Sequence, residues 1–170
     1  MALHIGKYNS PIGTITIAAD DEAIVGLWFE QQRFYADCIK ESLTTAKEEE
    51  TKCITATRRW LDLYFRGTSP NFTPPIHFIG TLFRKTVWQL LLQIPYGTVT
   101  TYADLARKIA ASQGKSTMSA QAVGGAVSHN PISIIVPCHR VIGSDGNLTG
   151  YAGGLDRKQF LLQTEAGNQP

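Results

Sequence analysis

Residues 130–141 read NPISIIVPCHRV, and the rest of the chain is arranged around this stretch. Ile132–Val136 is a short apolar run, mostly β-branched, and the turn signal Asn-Pro precedes it. This composition predicts a buried strand. Pro137 ends the hydrogen-bond ladder of that strand, and a thiol, an imidazole and a guanidinium follow directly. The sequence therefore predicts a core strand that delivers a cysteine to its end, with potential cations beside it.

Cys138 has two interpretations. Nearby positive charge lowers the pKa of a cysteine and raises the fraction present as the nucleophilic thiolate. A single cysteine is otherwise most often a small, buried, unreactive apolar residue. The polar side chains that follow Cys138 at the predicted strand end favour the reactive thiol.

The position of His139 restricts how it could help Cys138. In an extended chain, neighbouring side chains point to opposite sides, so a direct hydrogen bond between the two is not expected. The imidazole could still act as a base through one water molecule. We therefore expect a carboxylate on the far side of the imidazole to hold it in place.

The pentapeptide Pro-Cys-His-Arg-Val at 137–141 closely resembles the active-site signature of the O6-alkylguanine-DNA alkyltransferases, also called methylated-DNA–protein-cysteine methyltransferases. One pentapeptide could mislead, but the resemblance extends over residues 80–166 and is highly specific. The other matching motifs are Gly80-Thr81, Val87-Trp88, Ile94-Pro95-Tyr96-Gly97, Ala122-Val123-Gly124-Gly125-Ala126, Asn130-Pro131, Gly150-Tyr151-Ala152-Gly153-Gly154 and Leu161-Leu162-Gln163-Thr164-Glu165.

The resemblance implies direct, irreversible transfer of an alkyl group from O6 of guanine in double-stranded DNA to the sulfur of Cys138. O4-alkylthymine is a second candidate substrate. His139 resembles the water-mediated base, Glu165 the carboxylate that orients it, and Asn130 the residue that organises the active-site turn. Tyr102 resembles the hydroxyl that rotates a phosphate and donates a proton near the base. No cofactor and no metal are implied, since each protein molecule is consumed as the reagent.

The resemblance also implies a helix that contacts DNA and a loop that walls the pocket. The small residues of that helix would let it approach the phosphate backbone closely, although they suit helix–helix packing equally well. Flipping the damaged base into the pocket costs about a few kcal/mol. The residues expected to contact DNA or the flipped base are Gln121, Ala122, Gly124, Arg140, Val141, Tyr151, Ala152 and Gly153.

Two residues depart from the pattern of this family. Gln121 occupies the position where the family usually has an arginine, which fills the stack vacated by the flipped base. Ala152 occupies a position that is often serine, so one hydroxyl near O6 is lost. Neither change affects the nucleophile, but both bear on base flipping and on substrate range.

The expected fold has two domains. Two adjacent prolines in Asn71–Ile76 forbid a helix and exclude a central strand, which indicates a linker at about residues 68–79. Residues 1–78 are expected to form an α/β scaffold domain, an antiparallel sheet with helices that is ribonuclease H-like. Residues 79–170 are expected to form a mostly helical winged helix-turn-helix domain. After a turn at Ser10–Gly13, the polar/apolar alternation of Thr14–Ala18 predicts a half-buried strand, and Ile24–Phe29 is the next predicted strand. Helices are predicted around 54–65, at 82–93 after the cap Thr81, at 102–111 after the cap Thr101, after the cap Ser119, and at 155–166. A hairpin-type turn at Gly143–Gly146 would form the wing.

Composition narrows the classes of partner and site. Residues 1–79 carry a net charge of −2 and residues 80–170 carry +4, which suits a polyanionic partner or simply a solvated face. The three cysteines and four histidines show no ligand spacing, so disulfides and a zinc site are not expected. No signal peptide or membrane span is recognisable, so we expect a cytoplasmic monomer without membrane partners.

Two other functions fit part of this pattern. One is a winged-helix DNA-binding regulator with an incidental cysteine and no repair activity. The other is a cysteine hydrolase that uses Cys138 and His139. A hydrolase would need an oxyanion hole, and no glycine-rich segment beside the cysteine is suited to form one.

Overall fold

The computed structural model describes residues 2–167. Met1 and residues 168–170, the outermost residues of the two predicted domains, lie outside this range. The first half of the chain forms a four-stranded sheet in the order β3-β2-β1-β4. Its strands are β1 (His4–Ser10), β2 (Gly13–Ala19), β3 (Ile24–Phe29) and β4 (Lys47–Glu48). Neighbouring strands are antiparallel, except that β4 runs parallel to β1.

Strands β2 and β3 are confirmed, whereas β1 is not predicted from the sequence. The side chains of β1 are mostly polar, and Gly6 is its one buried residue. Strand β2 is also more buried than predicted. Ile15 and Ile17 belong to the main core, while Thr16 on the opposite face accepts a hydrogen bond from Tyr35 Oη at 2.8 Å. Both faces of β2 are therefore covered. The apolar face packs in the main core, and the polar face is covered by side chains such as Tyr35.

Helix α1 (Lys40–Leu43) is short and follows a 3₁₀ turn at Asp37–Ile39. The main helix of the first half is α2 (Lys52–Phe65), in the region where near-helical spacing predicts one. Its N-terminus is capped by Thr51, whose side chain accepts a hydrogen bond from the backbone N–H of Ile54 at 3.2 Å. Helix α2 packs on β1 and β2 and brings Tyr64 into the protein interior.

The predicted linker is hydrogen-bonded to strand β3 of the sheet. The backbone of Ile24 in β3 donates to Pro75 O at 2.8 Å and accepts from His77 N at 2.9 Å. Further along β3, the backbone N–H of Leu27 donates to Pro131 O and its carbonyl accepts from Ser133 N, at 2.9 Å each. The edge of β3 therefore holds both the linker and the start of the cysteine segment.

The second half of the chain is mostly helical, as predicted. Helices α3 (Leu82–Leu91), α4 (Tyr102–Ser112) and α5 (Ala120–Ser128) pack against one another. Each begins at its predicted cap, where a side-chain oxygen accepts a backbone N–H, and α3 ends two residues before the predicted Gln93. The three caps are Thr81, Thr101 and Ser119.

The wing follows the cysteine segment. Strands β5 (Thr100–Thr101) and β6 (Val141–Ile142) pair in parallel, and the predicted turn at residues 143–146 closes with a 2.9 Å bond from Gly146 N to Gly143 O. Helix α6 (Leu155–Glu165) completes the fold. Within residues 2–167, no helix is both long and apolar enough to cross a membrane.

The predicted buried strand at Ile132–Val136 is wrong. The segment is buried, but it bridges β3 at Ile132 alone and then turns, with Ile134 at a φ of 70°. The side chain of Asn130 accepts from Ile132 N at 3.0 Å and donates to Val136 O at 2.8 Å, which satisfies two backbone groups that a ladder would have used. A run of apolar residues signals burial, and burial here does not require a strand.

Candidate active site

Cys138 lies at the start of a 3₁₀ turn, Cys138–Arg140, and faces a cavity of about 300 Å³. The side chain is almost completely buried, and the cavity is its access to the exterior. The wall is contributed by both halves of the chain. Its residues are Arg33, Tyr102, Gly124, Val127, Ser128, Cys138, Thr149, Gly150, Tyr151 and Ala152.

The pKa of the Cys138 thiol is raised in the folded protein and not lowered as expected. Burial raises the pKa of Cys138, and hydrogen bonding by Asn130 and the charge of Lys158 oppose that rise without cancelling it. The cations expected from the sequence, His139 and Arg140, instead contact Glu165. The thiol is therefore protonated at neutral pH, and its reactivity depends on a base.

Lys158, which the sequence does not predict as part of the site, is the cation whose charge lowers the pKa of Cys138. It lies on α6, is fully buried, and donates from Nζ to Val141 O, Thr149 O and Gly150 O at 2.7, 3.0 and 3.1 Å. Burial lowers its pKa to about 8. A signal for it was present, because Lys158 shares a helical face with the apolar Leu161.

Glu165 forms the centre of a buried hydrogen-bond network. Its Oε2 binds His139 Nε2 and accepts from Tyr64 Oη at 2.6 Å. Its Oε1 accepts from Arg140 Nε at 2.6 Å and from Gly97 N at 3.1 Å. Burial alone would raise the pKa of this carboxyl, but His139 and Arg140 outweigh burial and lower it to about 2. Glu165 is therefore a fixed anion behind the imidazole.

His139 is a neutral base in this setting. Burial lowers its pKa, and the opposing effect of Glu165 does not restore the ordinary value. Because Nε2 faces the carboxylate, that nitrogen carries the proton and Nδ1 keeps its lone pair. Within residues 2–167, Nδ1 has no hydrogen-bond partner. The structure thus places the expected carboxylate against the imidazole. The backbone that carries the imidazole is a 3₁₀ turn and not the extended chain we assumed.

Two further predicted residues lie beside the thiol. Asn130 closes the active-site turn with the two hydrogen bonds described above. Tyr102, the first residue of α4, donates from Oη to Thr149 O at 3.1 Å and lines the cavity. Burial raises the pKa of Tyr102, and Cys138 raises it further, so its hydroxyl is protonated and able to donate.

The residues expected to contact DNA separate into two groups. Gln121 and Ala122 are exposed at the beginning of α5, whereas Gly124 on the same helix lines the cavity. Tyr151 and Ala152 form another part of the wall. The middle and C-terminal half of α5 thus line the cavity, whereas the exposed Gln121 and Ala122 lie outside its wall.

Three other residues of that prediction are placed elsewhere. Arg140 is buried, with its Nη1 donating to Ile94 O at 2.6 Å, so it has no free face for DNA and its predicted contact is wrong. Val141 is buried outside the wall and supplies its carbonyl to Lys158. Gly153 is buried behind Tyr151, and a Cβ there would lie 2.7 Å from Tyr151 Cε1.

The first half of the chain supplies two residues to this region, which the expectation of a scaffold did not include. Tyr64 reaches the Glu165 network from α2. Arg33 lines the cavity, and its backbone donates to Ala152 O at 3.0 Å. Pairs this distant in sequence leave no local pattern, so neither residue could be found before the fold was known.

The comparisons with known proteins agree with the geometry. The family model for the 6-O-methylguanine DNA methyltransferase ribonuclease-like domain matches residues 3–78, and the model for the DNA-binding domain of the same family matches residues 82–167. The methylated-DNA–protein-cysteine methyltransferase of Haemophilus influenzae is 41% identical over 165 residues, covering 96% of this chain and 87% of that protein. The relative of the same name from Methanosarcina acetivorans is 40% identical over 163 residues, covering 96% and 98%.

Solved structures show the same similarity. The crystal structure of Mycobacterium tuberculosis OGT in complex with DNA matches with a TM-score of 0.85 and 37% identity, covering 98% of this chain and 95% of that one. The O6-methylguanine-DNA methyltransferase from Pyrococcus kodakaraensis matches with a TM-score of 0.64 and 26% identity, covering 96% and 98%. The expected two-domain fold, a ribonuclease-like domain followed by a DNA-binding domain, is confirmed. The chain belongs to the 6-O-methylguanine DNA methyltransferase family, as the resemblance implied.

Proposed function

We propose that this protein repairs DNA by transferring the alkyl group of O6-alkylguanine in a duplex to the sulfur of Cys138, once per molecule. The observation that carries this function is a buried thiol at a cavity, with a neutral imidazole next to it that is held by an anionic carboxylate. The name shared by the relatives, methylated-DNA–protein-cysteine methyltransferase, describes the same reaction. O4-alkylthymine is a further candidate substrate.

Different residues of the site carry out the successive steps of the transfer. His139 takes the proton of the Cys138 thiol, relayed through water because no hydrogen bond joins the two side chains in the described residues. The thiolate then attacks the alkyl carbon, a sulfur–carbon bond forms, and the carbon–O6 bond breaks with its electron pair moving to the guanine. The departing guanine takes up one proton, and Tyr102, which lines the cavity, is the donor in this proposal. The product is a thioether, so the protein is not regenerated.

Glu165 and Asn130 support this reaction without touching the substrate. Glu165 fixes the tautomer of His139 and stabilises the imidazolium as it forms. Asn130 holds the turn that presents the sulfur to the cavity. Because burial raises the pKa of the thiol, the reaction depends on this base more than it would at an exposed cysteine.

DNA is bound by the helix-turn-helix of α4 and α5. Gln121 and Ala122 lie exposed where α5 would meet the backbone, and Gly124 lets the helix approach closely. The flipped base enters the cavity between α5 and the loop of residues 150–154, against Tyr151 and Ala152. The net charge of +4 in residues 80–170 favours this polyanionic partner.

We further propose a domain boundary near residues 78 and 79, with the linker at about 68–79. The protein acts as a monomer in the cytoplasm. It needs no cofactor and no metal, since the cysteine is the alkyl acceptor. Neither the regulator nor the cysteine hydrolase is favoured by the relatives, which are named as methyltransferases.

Intact-protein mass spectrometry after incubation with a duplex carrying O6-methylguanine tests this function. We expect one methyl group per molecule, located by peptide mapping at Cys138. Cys138→Ala should abolish transfer and retain DNA binding, because the α5 surface is unchanged. Cys38→Ala and Cys53→Ala are the matched controls and should transfer normally. Methylation at either of those cysteines, or repeated turnover, would contradict the proposal.

A further inference from the structure

Tyr64 is the one contact to the Glu165 carboxylate that comes from the first half of the chain, within residues 2–167. Its hydroxyl donates to Glu165 Oε2 at 2.6 Å and lies 3.5 Å from His139 Nε2. It thus shares with the imidazole the oxygen that orients the base. Tyr64 is fully buried, so solvent does not compete for this bond.

The ring of Tyr64 is held rigidly. Trp60, one turn earlier on α2, stacks on it with ring centroids 5.3 Å apart and an interplanar angle of 10°. Phe65 and Tyr96 contact it edge-on, at 5.4 and 6.1 Å between centroids. The hydroxyl therefore points at Glu165 without losing further conformational freedom, which favours a positioning role.

The other donors do not replace this bond. Arg140 and Gly97 both bind Oε1, and Arg140 is also committed to Ile94 O. An arginine can bind both oxygens of a carboxylate with its guanidinium fork. Without Tyr64, His139 is the one donor left on Oε2 within residues 2–167, so the carboxylate can rotate more easily toward such a pairing and away from His139.

We propose that Tyr64 is a positioning residue for alkyl transfer, through which the first half of the chain sets the orientation and charge of the Glu165–His139 pair. The inference rests on the proposed function. A hydroxyl that donates to Oε2 withdraws part of the negative charge that would otherwise stabilise an imidazolium. Tyr64 therefore keeps His139 both aligned and in the neutral form that acts as the base.

Several titratable or charged groups surround this pair. Arg140 contacts Glu165 directly, and Tyr96, at the end of the α3 connection, lies within range of its charge. Lys158 acts on the imidazole from α6, and Cys138 and Tyr151 lie on the cavity side. A single change at Tyr64 leaves all of these in place, so a shift in the pH dependence of transfer would report on its hydroxyl.

The test is the rate of methyl transfer in single-turnover experiments from low to neutral pH. Tyr64→Phe should slow transfer by about tenfold, since one hydrogen bond to a charged group is lost. The acid limb of its pH–rate profile should move to higher pH, because the more negative carboxylate holds the proton on His139 more strongly. Affinity for the duplex should stay unchanged, since Tyr64 is fully buried and cannot contact DNA.

Tyr8→Phe is the matched control. It removes a tyrosine-to-carboxylate hydrogen bond of the same kind, 2.7 Å from Oη to Asp62, within the first half of the chain. Its rate and pH profile should match those of the unchanged protein. If Tyr64→Phe gives the same rate and acid limb as Tyr8→Phe, Tyr64 is a packing residue and the inference is wrong.

A second variant keeps the test decisive if Tyr64→Phe fails to fold. Incorporation of 3-fluorotyrosine at position 64 preserves the ring and makes the hydroxyl a stronger donor, so the acid limb should move to lower pH. An unchanged acid limb would overturn the inference. The protein without substitutions distinguishes the proposed function from the role of Tyr64. If its Cys138 accepts no methyl group, the proposed function is wrong, whatever the Tyr64 variants show.

Discussion

On one side of Cys138 lies the cavity, bordered by α5 and the loop of residues 150–154. On the other side lies Glu165, whose carboxylate accepts hydrogen bonds from four donors. The cavity side is walled partly by small residues such as Gly124 and Ala152, and Gln121 is exposed one turn before Gly124 on α5. The relay side, Tyr64, His139, Arg140 and Glu165, is buried, and its hydrogen bonds converge on the Glu165 carboxylate.

The difference indicates how binding and chemistry are separated. Small and half-exposed side chains can vary with modest cost, so the cavity side can adapt to different substrates. A buried carboxylate with several donors cannot lose one without leaving a polar group unsatisfied. We therefore expect substitutions on the relay side to change the rate of chemistry strongly, and those on the cavity side to change DNA binding mildly.

The largest effect is expected at Glu165. Glu165→Gln removes the charge that orients His139 and stabilises its protonated form, so methyl transfer should slow by about a hundredfold. Affinity for the duplex should be retained. Single-turnover kinetics with O6-methylguanine DNA measure the rate, and a rate equal to that of the unchanged protein would show that the carboxylate plays no part in the chemistry.

The same variant should alter the pH dependence of stability. The pKa of Glu165 is lowered in the folded protein from 4.5 to about 2. The ionised carboxylate therefore stabilises the fold fully above the unfolded pKa of 4.5, and this stabilisation is lost as the pH falls toward the folded pKa of about 2. Urea unfolding at a series of pH values should show a smaller loss of stability for Glu165→Gln in that range. Parallel curves for the two proteins would contradict the assignment.

A smaller effect is expected at Lys158, which belongs to neither side. Its ammonium binds the backbone carbonyls of Val141, Thr149 and Gly150. Lys158→Met removes the ammonium that binds three backbone carbonyls and leaves the buried Val141 O without this donor, so the free energy of unfolding should fall by about 2 kcal/mol. The thiol should also react more slowly with iodoacetamide near neutral pH, because a nearby positive charge is lost. Lys108→Met, at an exposed position of α4, is the control and should change neither property.

The smallest effect is expected at Gln121 on the cavity side. Gln121→Arg adds a charge and a longer side chain at the position that would fill the vacated stack. Methyl transfer at low DNA concentration should become a few-fold faster, and the salt dependence of binding should steepen by up to about one phosphate equivalent. Gln121→Ala should be slower than the unchanged protein.

Gln113→Arg places the same charge at an exposed position after α4 and controls for charge alone. It should change the salt dependence without changing the rate of transfer at saturating DNA. If all the Gln121 variants transfer methyl at one rate, Gln121 does not enter the stack. Only the relay side would then have a demonstrated part in alkyl transfer.

Much of the architecture was accessible from local patterns. Thr81, Thr101 and Ser119 start the three helices where the sequence predicts them, because a cap acts on backbone groups only a few residues away. Strand β3 was found from its β-branched and aromatic run, and the turn after Ser10 from Pro11 and Gly13. The cysteine motif at 137–141 identified the family without any knowledge of the fold.

The tertiary structure alone decided how these pieces meet. The run Ile132–Val136 is a turn because the side chain of Asn130 and the edge of β3 supply its partners, which an apolar pattern cannot reveal. Arg140 turns inward because Glu165 arrives from α6, 25 residues later in the chain. Burial then reverses the expected shift in the pKa of Cys138. Local sequence determined the elements and the reactive groups, whereas burial and long-range pairing, which depend on the whole fold, set their protonation and partners.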